Sequence, residues 1–330
     1  MPRRTGRPGM RRSVAPELVV LFAVLAVSSS AILIRLSGVH YVAAAGYRML
    51  FTVVLTVPLL LRSAKAPPSS APQAAEPEVA ALGATPPEGT RTPRRRVMLL
   101  SAVSGLFLAL HFGFWFKSLQ LTSVSAATVL VNTHPLFVML LGALFLRESV
   151  GRRAAVWMLA AMAGSAGLSL TGTGFGETAL EGNLLAFGGA LFVSVYFLIG
   201  RRLRREVSVI HYTFGVYLVT AIILLTYGFL TGVDLGPYAP REYVIFGAMA
   251  VFPTLLGHSL FNWALKYLRT SLVSTAILGE PVFATLLAML LFAEFPSPMV
   301  LLFGALVLYS VFRFSRADRP ARPVTPATLD

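Results

Sequence analysis

The chain has 330 residues, of which 56% are hydrophobic and only 13% charged, and its mean hydropathy is +0.73. Soluble domains carry about a quarter charged residues and cannot hide this much apolar surface, so the composition excludes an ordinary globular protein and points to the bilayer as solvent. The net charge of +14 does not indicate nucleic acid, because the basic residues sit in short clusters between apolar runs; the absence of cysteine excludes disulfides, thiolate metal sites and cysteine nucleophiles.

A membrane-crossing helix needs about 20 mainly apolar residues. Residues 1–16 form a basic N-terminal segment with five arginines, and the apolar run 17–36 that follows is too long for a signal-peptide core. It reads as the first span. The second, 42–61, carries Arg48 within it. Residues 62–96 hold seven prolines and much Ala, Ser and Glu and end in Arg94-Arg95-Arg96, the composition of a disordered loop. Spans then follow at 97–116, with His111 and Trp115; at 124–146, with Asn132, His134 and Pro135; and at 153–171.

A second group occupies 183–314. Its spans are 183–200, 211–230, 243–265 (His258, Asn262, Trp263), 271–293 (Glu280, Pro281) and 298–314, and a polar tail, 315–330, closes the chain. With the N-terminus inside, 24 of the 28 Lys and Arg residues fall in the N-terminus, 62–96, 147–153, 201–205, 266–269 and 313–322. That bias predicts both termini and the 62–96 loop on the cytoplasmic side, and a bacterial inner membrane is expected because no organelle-targeting segment precedes the first span.

Shifting the sequence by 146 residues lays 119–148 over 265–294. Pro135 meets Pro281, Phe137 meets Phe283 and Glu148 meets Glu294. Matched leucines are common in membrane sequence, but a proline followed thirteen residues later by a glutamate, with a phenylalanine two residues after each proline, is not. Five spans per group is an odd number, so the second group (183–314) enters from the side opposite to the first (17–171). The expected fold is an all-α integral membrane protein of ten transmembrane helices arranged as two inverted five-helix repeats, a plan that recurs in secondary transporters.

The stretches SLQLTSVSAATVLVNTHPLFVMLLGALFLRE and YLRTSLVSTAILGEPVFATLLAMLLFAE resemble the fourth and ninth helices of the drug/metabolite transporter superfamily, EamA type. The opening SSSAILIRLSGVHYVAAAGYRMLF, with Arg48, is similar to the start of that family. The resemblance covers 15–314 apart from the 62–96 insertion, and it implies export or exchange of amino acids or other small metabolites.

Polar groups at membrane depth are costly and usually face a cavity or a partner. Glu280 lies about 14 Å into its span, near the midplane, and His134 is its repeat equivalent. Glu280 is expected either to hold a cationic substrate group or exchange a proton, or to brace packing as a neutral or paired acid. Pro135 and Pro281 free backbone carbonyls, either lining a transport site or merely kinking their helices. His111 and Trp115 share a helix face, as do His258 and Asn262, with Trp263 next in sequence; these residues and Asn132 are candidate cavity walls. Arg48 is expected to meet a substrate carboxylate, to pair with Glu280 or to snorkel outward. Arg35, Glu148 and Glu294 read as anchors at helix ends, and Ser28-Ser29-Ser30 and Gly164-x2-Gly167 as sites of close helix packing.

No Walker loop, HExxH or metal-ligand spacing is found, so neither cofactor nor metal is expected. The expected partners are a small-molecule substrate, the lipid bilayer and, through Glu280, a proton. A secondary transporter working by alternating access is favoured over a membrane-embedded enzyme acting on a lipid or isoprenoid substrate, and over a sensor or scaffold.

Overall fold

The structure is a computed structural model that describes residues 15–65, 93–121, 127, 130–148, 150–171, 180–204, 206–292 and 297–318. No strand occurs among the described residues, and eight of their helical stretches are long and apolar enough to cross a membrane. A ninth apolar stretch, His134–Leu146, is shorter.

Apolar runs become helices here because lipid offers no partner to a backbone N–H or C=O. Several expected spans are nevertheless broken. The run 17–36 divides at Ser28 into α1 (Pro16–Val27) and α2 (Ser29–Leu36). The next helix, α3 (Tyr41–Lys65), runs four residues past its expected end, and α4 (Arg94–Leu121) begins three residues early. The arginines Arg94–Arg96 assigned by sequence to the loop are therefore the first turn of a helix; the rest of the 62–96 loop, from 66 to 92, lies outside the described residues.

Within the expected span 124–146, the described backbone turns at Asn132–Thr133 before α5 (His134–Leu141), which continues as a π-helical turn, Gly142–Leu146. Then come α6 (Arg152–Thr171), α7 (Leu180–Leu203) and α8 (Val209–Leu230). The span expected at 243–265 has three parts: α9 (Pro240–Met249), a π-helical stretch (Ala250–His258) and α10 (Ser259–Ala264). Pro253 explains the middle part. It has no N–H to give the carbonyl of Met249, and the Thr254 hydroxyl donates there instead at 2.9 Å. The last spans are α11 (Thr270–Ile277) with α12 (Glu280–Phe292), divided at Leu278–Gly279, and α13 (Pro298–Ala317), which reaches into the expected polar tail.

The helices pack pairwise. α4 lies along α7, α3 along α8, α6 along α13, and α1 along the π-helical stretch and α10; α5 leans on α7 while α12 leans on α1. Close crossings need small residues. A Cβ on Gly167 of α6 would stand 2.4 Å from the Phe303 ring of α13, and one on Gly105 of α4 would stand 2.7 Å from the carbonyl oxygen of Val216 in α8. The close-packing role expected for Gly164 and Gly167 is realised against α13.

Candidate functional site

A partly open hollow of about 60 Å³ lies where these broken elements converge. Arg48, His111, Trp115, Asn132, His134, His258 and Glu280 all line it, together with Ser30 of α2 and an apolar set that includes Phe112 and Phe197. Asn262 and Trp263 do not. Asn262 is fully buried with its amide donating to the Tyr196 hydroxyl and to the carbonyl of His258, and Trp263 packs against Tyr267 at a 4.7 Å ring separation.

Arg48 is 1% exposed, so it does not snorkel. Its Nε donates to the Thr254 hydroxyl at 2.7 Å, the same hydroxyl that repairs the helix after Pro253, and its Nη1 donates to Ser30 at 3.1 Å. The guanidinium carbon sits 5.0 Å from the centroid of the Phe112 ring. Nη2 has no partner among the described residues. A buried guanidinium braced on one edge and unmet on the other is costly unless an anionic or hydrogen-bonding group reaches it.

Glu280 is the first residue of α12, where the helix N-terminus favours a negative charge. Its carboxylate makes no ion pair within 4.0 Å and no hydrogen bond among the described residues. The expected direct pairing of Arg48 with Glu280 is absent: two opposite charges share one hollow without neutralising each other in contact.

The prolines do less than expected of them as kinks. Pro135 and Pro281 each stand second in a new helix, where a missing N–H costs nothing, and the chain has already turned at Asn132–Thr133 and Leu278–Gly279. The Val131 carbonyl is met by the His134 ring, 3.3 Å from Nδ1. Two serines hold these break points. The Ser28 hydroxyl stands 2.7 Å from the carbonyl of Val24 in its own helix and 3.0 Å from that of Glu280. The Ser194 hydroxyl repeats the arrangement, 2.7 Å from the carbonyl of Ala190 and 3.0 Å from that of His134.

The remaining wall is aromatic and imidazole. His111 and Trp115 stack at 5.9 Å with a 13° tilt, and His111 Nδ1 lies 2.9 Å from the carbonyl of Gly189. Trp115 Nε1, His134 Nε2 and His258 Nδ1 are buried without partners among the described residues. Asn132 donates to Ser165 at 3.0 Å.

The sequence profile of the EamA-like transporter family matches residues 15–170 and, a second time, residues 180–316. This chain belongs to the EamA-like transporter family. As an EamA-like protein with eight helical stretches long and apolar enough to cross a membrane among its described residues, it is a multi-pass membrane protein. It is similar to an uncharacterized transporter, YxxF, of Bacillus subtilis (strain 168), with 25% identity over 198 residues; these are 58% of this chain and 62% of the relative, so the match spans less than two thirds of that protein. A crystal structure with the general title "Crystal structure of protein" shares the fold at a TM-score of 0.71 and 20% identity, covering 92% of this EamA-like chain and 99% of the other.

Sequence reasoning missed Ser194, Ser30 and Thr254. Serine and threonine are ordinary in apolar helices, and only the distance from Arg48 or from a broken helix marks these three. Repeat symmetry was the one available signal for Ser194: it lies 166 residues after Ser28, as Glu280 lies 146 after His134.

Proposed function

We propose that this chain is a secondary transporter that exports amino acids or related dipolar metabolites across a bacterial inner membrane by alternating access. The observation that carries this reading is the hollow itself. It holds one arginine with an unmet edge and one glutamate outside ion-pair distance, the two ends that a zwitterion would satisfy, with aromatic rings in its wall. Substrate selectivity would then come from filling both charged ends at once.

We further infer ten helices in two inverted five-helix repeats. The double profile match supports this, and so do the serine contacts: each half supplies one serine that reaches the carbonyl just before the other half's proline. Sequence offsets agree. Ser28 and Ser194 differ by 166, His134 and Glu280 by 146, and the 20-residue difference falls where the first half carries its 62–96 segment. Helix pairings exchange in the same way, α4 on α7 answering to α1 on the π-helical stretch.

The test is flux in proteoliposomes. Vesicles preloaded with unlabelled amino acid should accumulate the same radiolabelled compound, and Arg48→Lys, which keeps charge but not the guanidinium fork, should abolish accumulation. Counterflow absent for every amino acid and related zwitterion tried would remove the substrate assignment. Orientation is tested in the naturally cysteine-free chain. Single cysteines at Arg95 or Gly151 should react with an impermeant maleimide only from the cytoplasmic side, and at Gly38 or Asp234 only from outside. The reverse pattern would invert the topology.

A further inference from the structure

One cationic cluster takes no part in the central hollow. At the end of the bundle where α6 begins and α13 finishes, the two antiparallel helices bring Arg152 and Arg153 together with Arg313 and Arg316, all exposed. Trp157 and Tyr309 meet edge to face at 5.5 Å. The Arg313 guanidinium lies over both rings, 4.6 Å from the Trp157 centroid and 5.6 Å from that of Tyr309, and its Nη1 donates to the Tyr309 hydroxyl at 2.7 Å. Arg316 lies over Phe312 at 5.2 Å.

Position makes this one face. Arg153 stands one turn before Trp157, and Tyr309, Arg313 and Arg316 follow each other at helical spacing. No carboxylate pairs with these four arginines among the described residues. The nearest acid in sequence, Asp318, is buried and occupied by Arg269 and by the Ser271 hydroxyl, each at 2.9 Å. An arginine fixed by aromatic stacking keeps most of its N–H fork available and loses less entropy when it takes up a phosphate.

The surface beyond the arginines is apolar. Val156, Leu159, Leu308 and Phe312 are exposed, and α13 is the least enclosed span, with 22% of its apolar window buried against 39–50% for the others. A headgroup-level cation cluster above an open apolar lane has the chemistry of a phospholipid.

We propose that the arginine end of the α6–α13 groove binds an anionic phospholipid, whose phosphate is gripped by Arg153, Arg313 and Arg316 and whose acyl chains lie over the apolar lane. The site is separate from the transport hollow, so its test needs no substrate. The full-length protein in an uncharged detergent is given phosphatidylglycerol or phosphatidylcholine at equal molar ratio, and bound lipid is counted by native mass spectrometry beside the melting temperature.

Phosphatidylglycerol should be retained and should raise the melting temperature, whereas phosphatidylcholine should do neither. Arg153→Ala with Arg313→Ala should reduce retained phosphatidylglycerol on the order of tenfold. Arg313→Lys, a milder change that keeps the charge, should fall between the two. Arg202→Ala removes an equally exposed charge at the end of α7 and should change nothing. Equal retention of phosphatidylcholine, or an equal loss in Arg202→Ala, would leave only diffuse attraction and overturn the proposal. So would the same melting shift from glycerol 3-phosphate alone, or a dimer that buries this face and excludes the lipid.

Discussion

Glu280→Gln should lower substrate flux at sub-saturating concentration by on the order of 30-fold or more, while expression and thermal stability stay close to wild type. The side chain lines the hollow and makes no ion pair or side-chain hydrogen bond among the described residues that the amide would break, so folding has little stake in its charge beyond the helix N-terminus. A bound ammonium group would lose its only carboxylate partner in a desolvated site, an effect of about 2–5 kcal/mol. The control is Glu181→Gln, an exposed acid paired with Lys117 at 3.3 Å and remote from the hollow, which should be silent. Two assays divide the remaining alternatives. If Glu280→Gln abolishes both counterflow and gradient-driven uptake, the carboxylate binds substrate. If it abolishes only gradient-driven uptake, the carboxylate carries the proton. Normal flux in both assays across pH would leave Glu280 as a packing residue only.

Much of this architecture is written in the sequence because lipid enforces it. Hydropathy anticipated the eight described stretches that are long and apolar enough to cross, since a backbone in hydrocarbon must close its own hydrogen bonds. The polar exceptions within those spans located most of the hollow: seven of the nine candidate residues line it. Finer features depend on contacts at long range. The sequence suggested kinks at Pro135 and Pro281, yet the turns precede both prolines and are held by serines 60 and 252 residues away. Asn262 shares a helix face with His258, which made it a candidate wall, but the Tyr196 hydroxyl across the bundle captures its amide. Glu148 read as a helix-end anchor, with no hint that its partner lies 53 residues on.

That partner underlies the second large effect. Arg201, 2% exposed, donates from Nε to a Glu148 carboxylate oxygen at 3.1 Å and from Nη1 to the Leu265 carbonyl. The other Glu148 oxygen accepts from the backbone N–H of Thr270, the first residue of α11, at 3.4 Å. One carboxylate thus ties the chain after α5 to the last turn of α7 and the start of α11, at the end of the bundle opposite Glu242. Removing one member of such a pair takes the charged partner from the other in a dry setting, which costs about 3–5 kcal/mol. Arg201→Ala and Glu148→Ala should each lower thermal stability markedly. Arg201→Met combined with Glu148→Gln should recover most of the loss, because both charges are removed together and the amide oxygen still accepts from Thr270. If both single variants melt like wild type, the pair contributes nothing to stability. If the double variant is as unstable as either single one, the contacts rather than the charge pairing carry the effect. The same variants report on gating. If the tie helps to close this end of the bundle, a cysteine at Lys266, beside this junction, should be labelled faster once the pair is broken; unchanged labelling would confine the pair to stability.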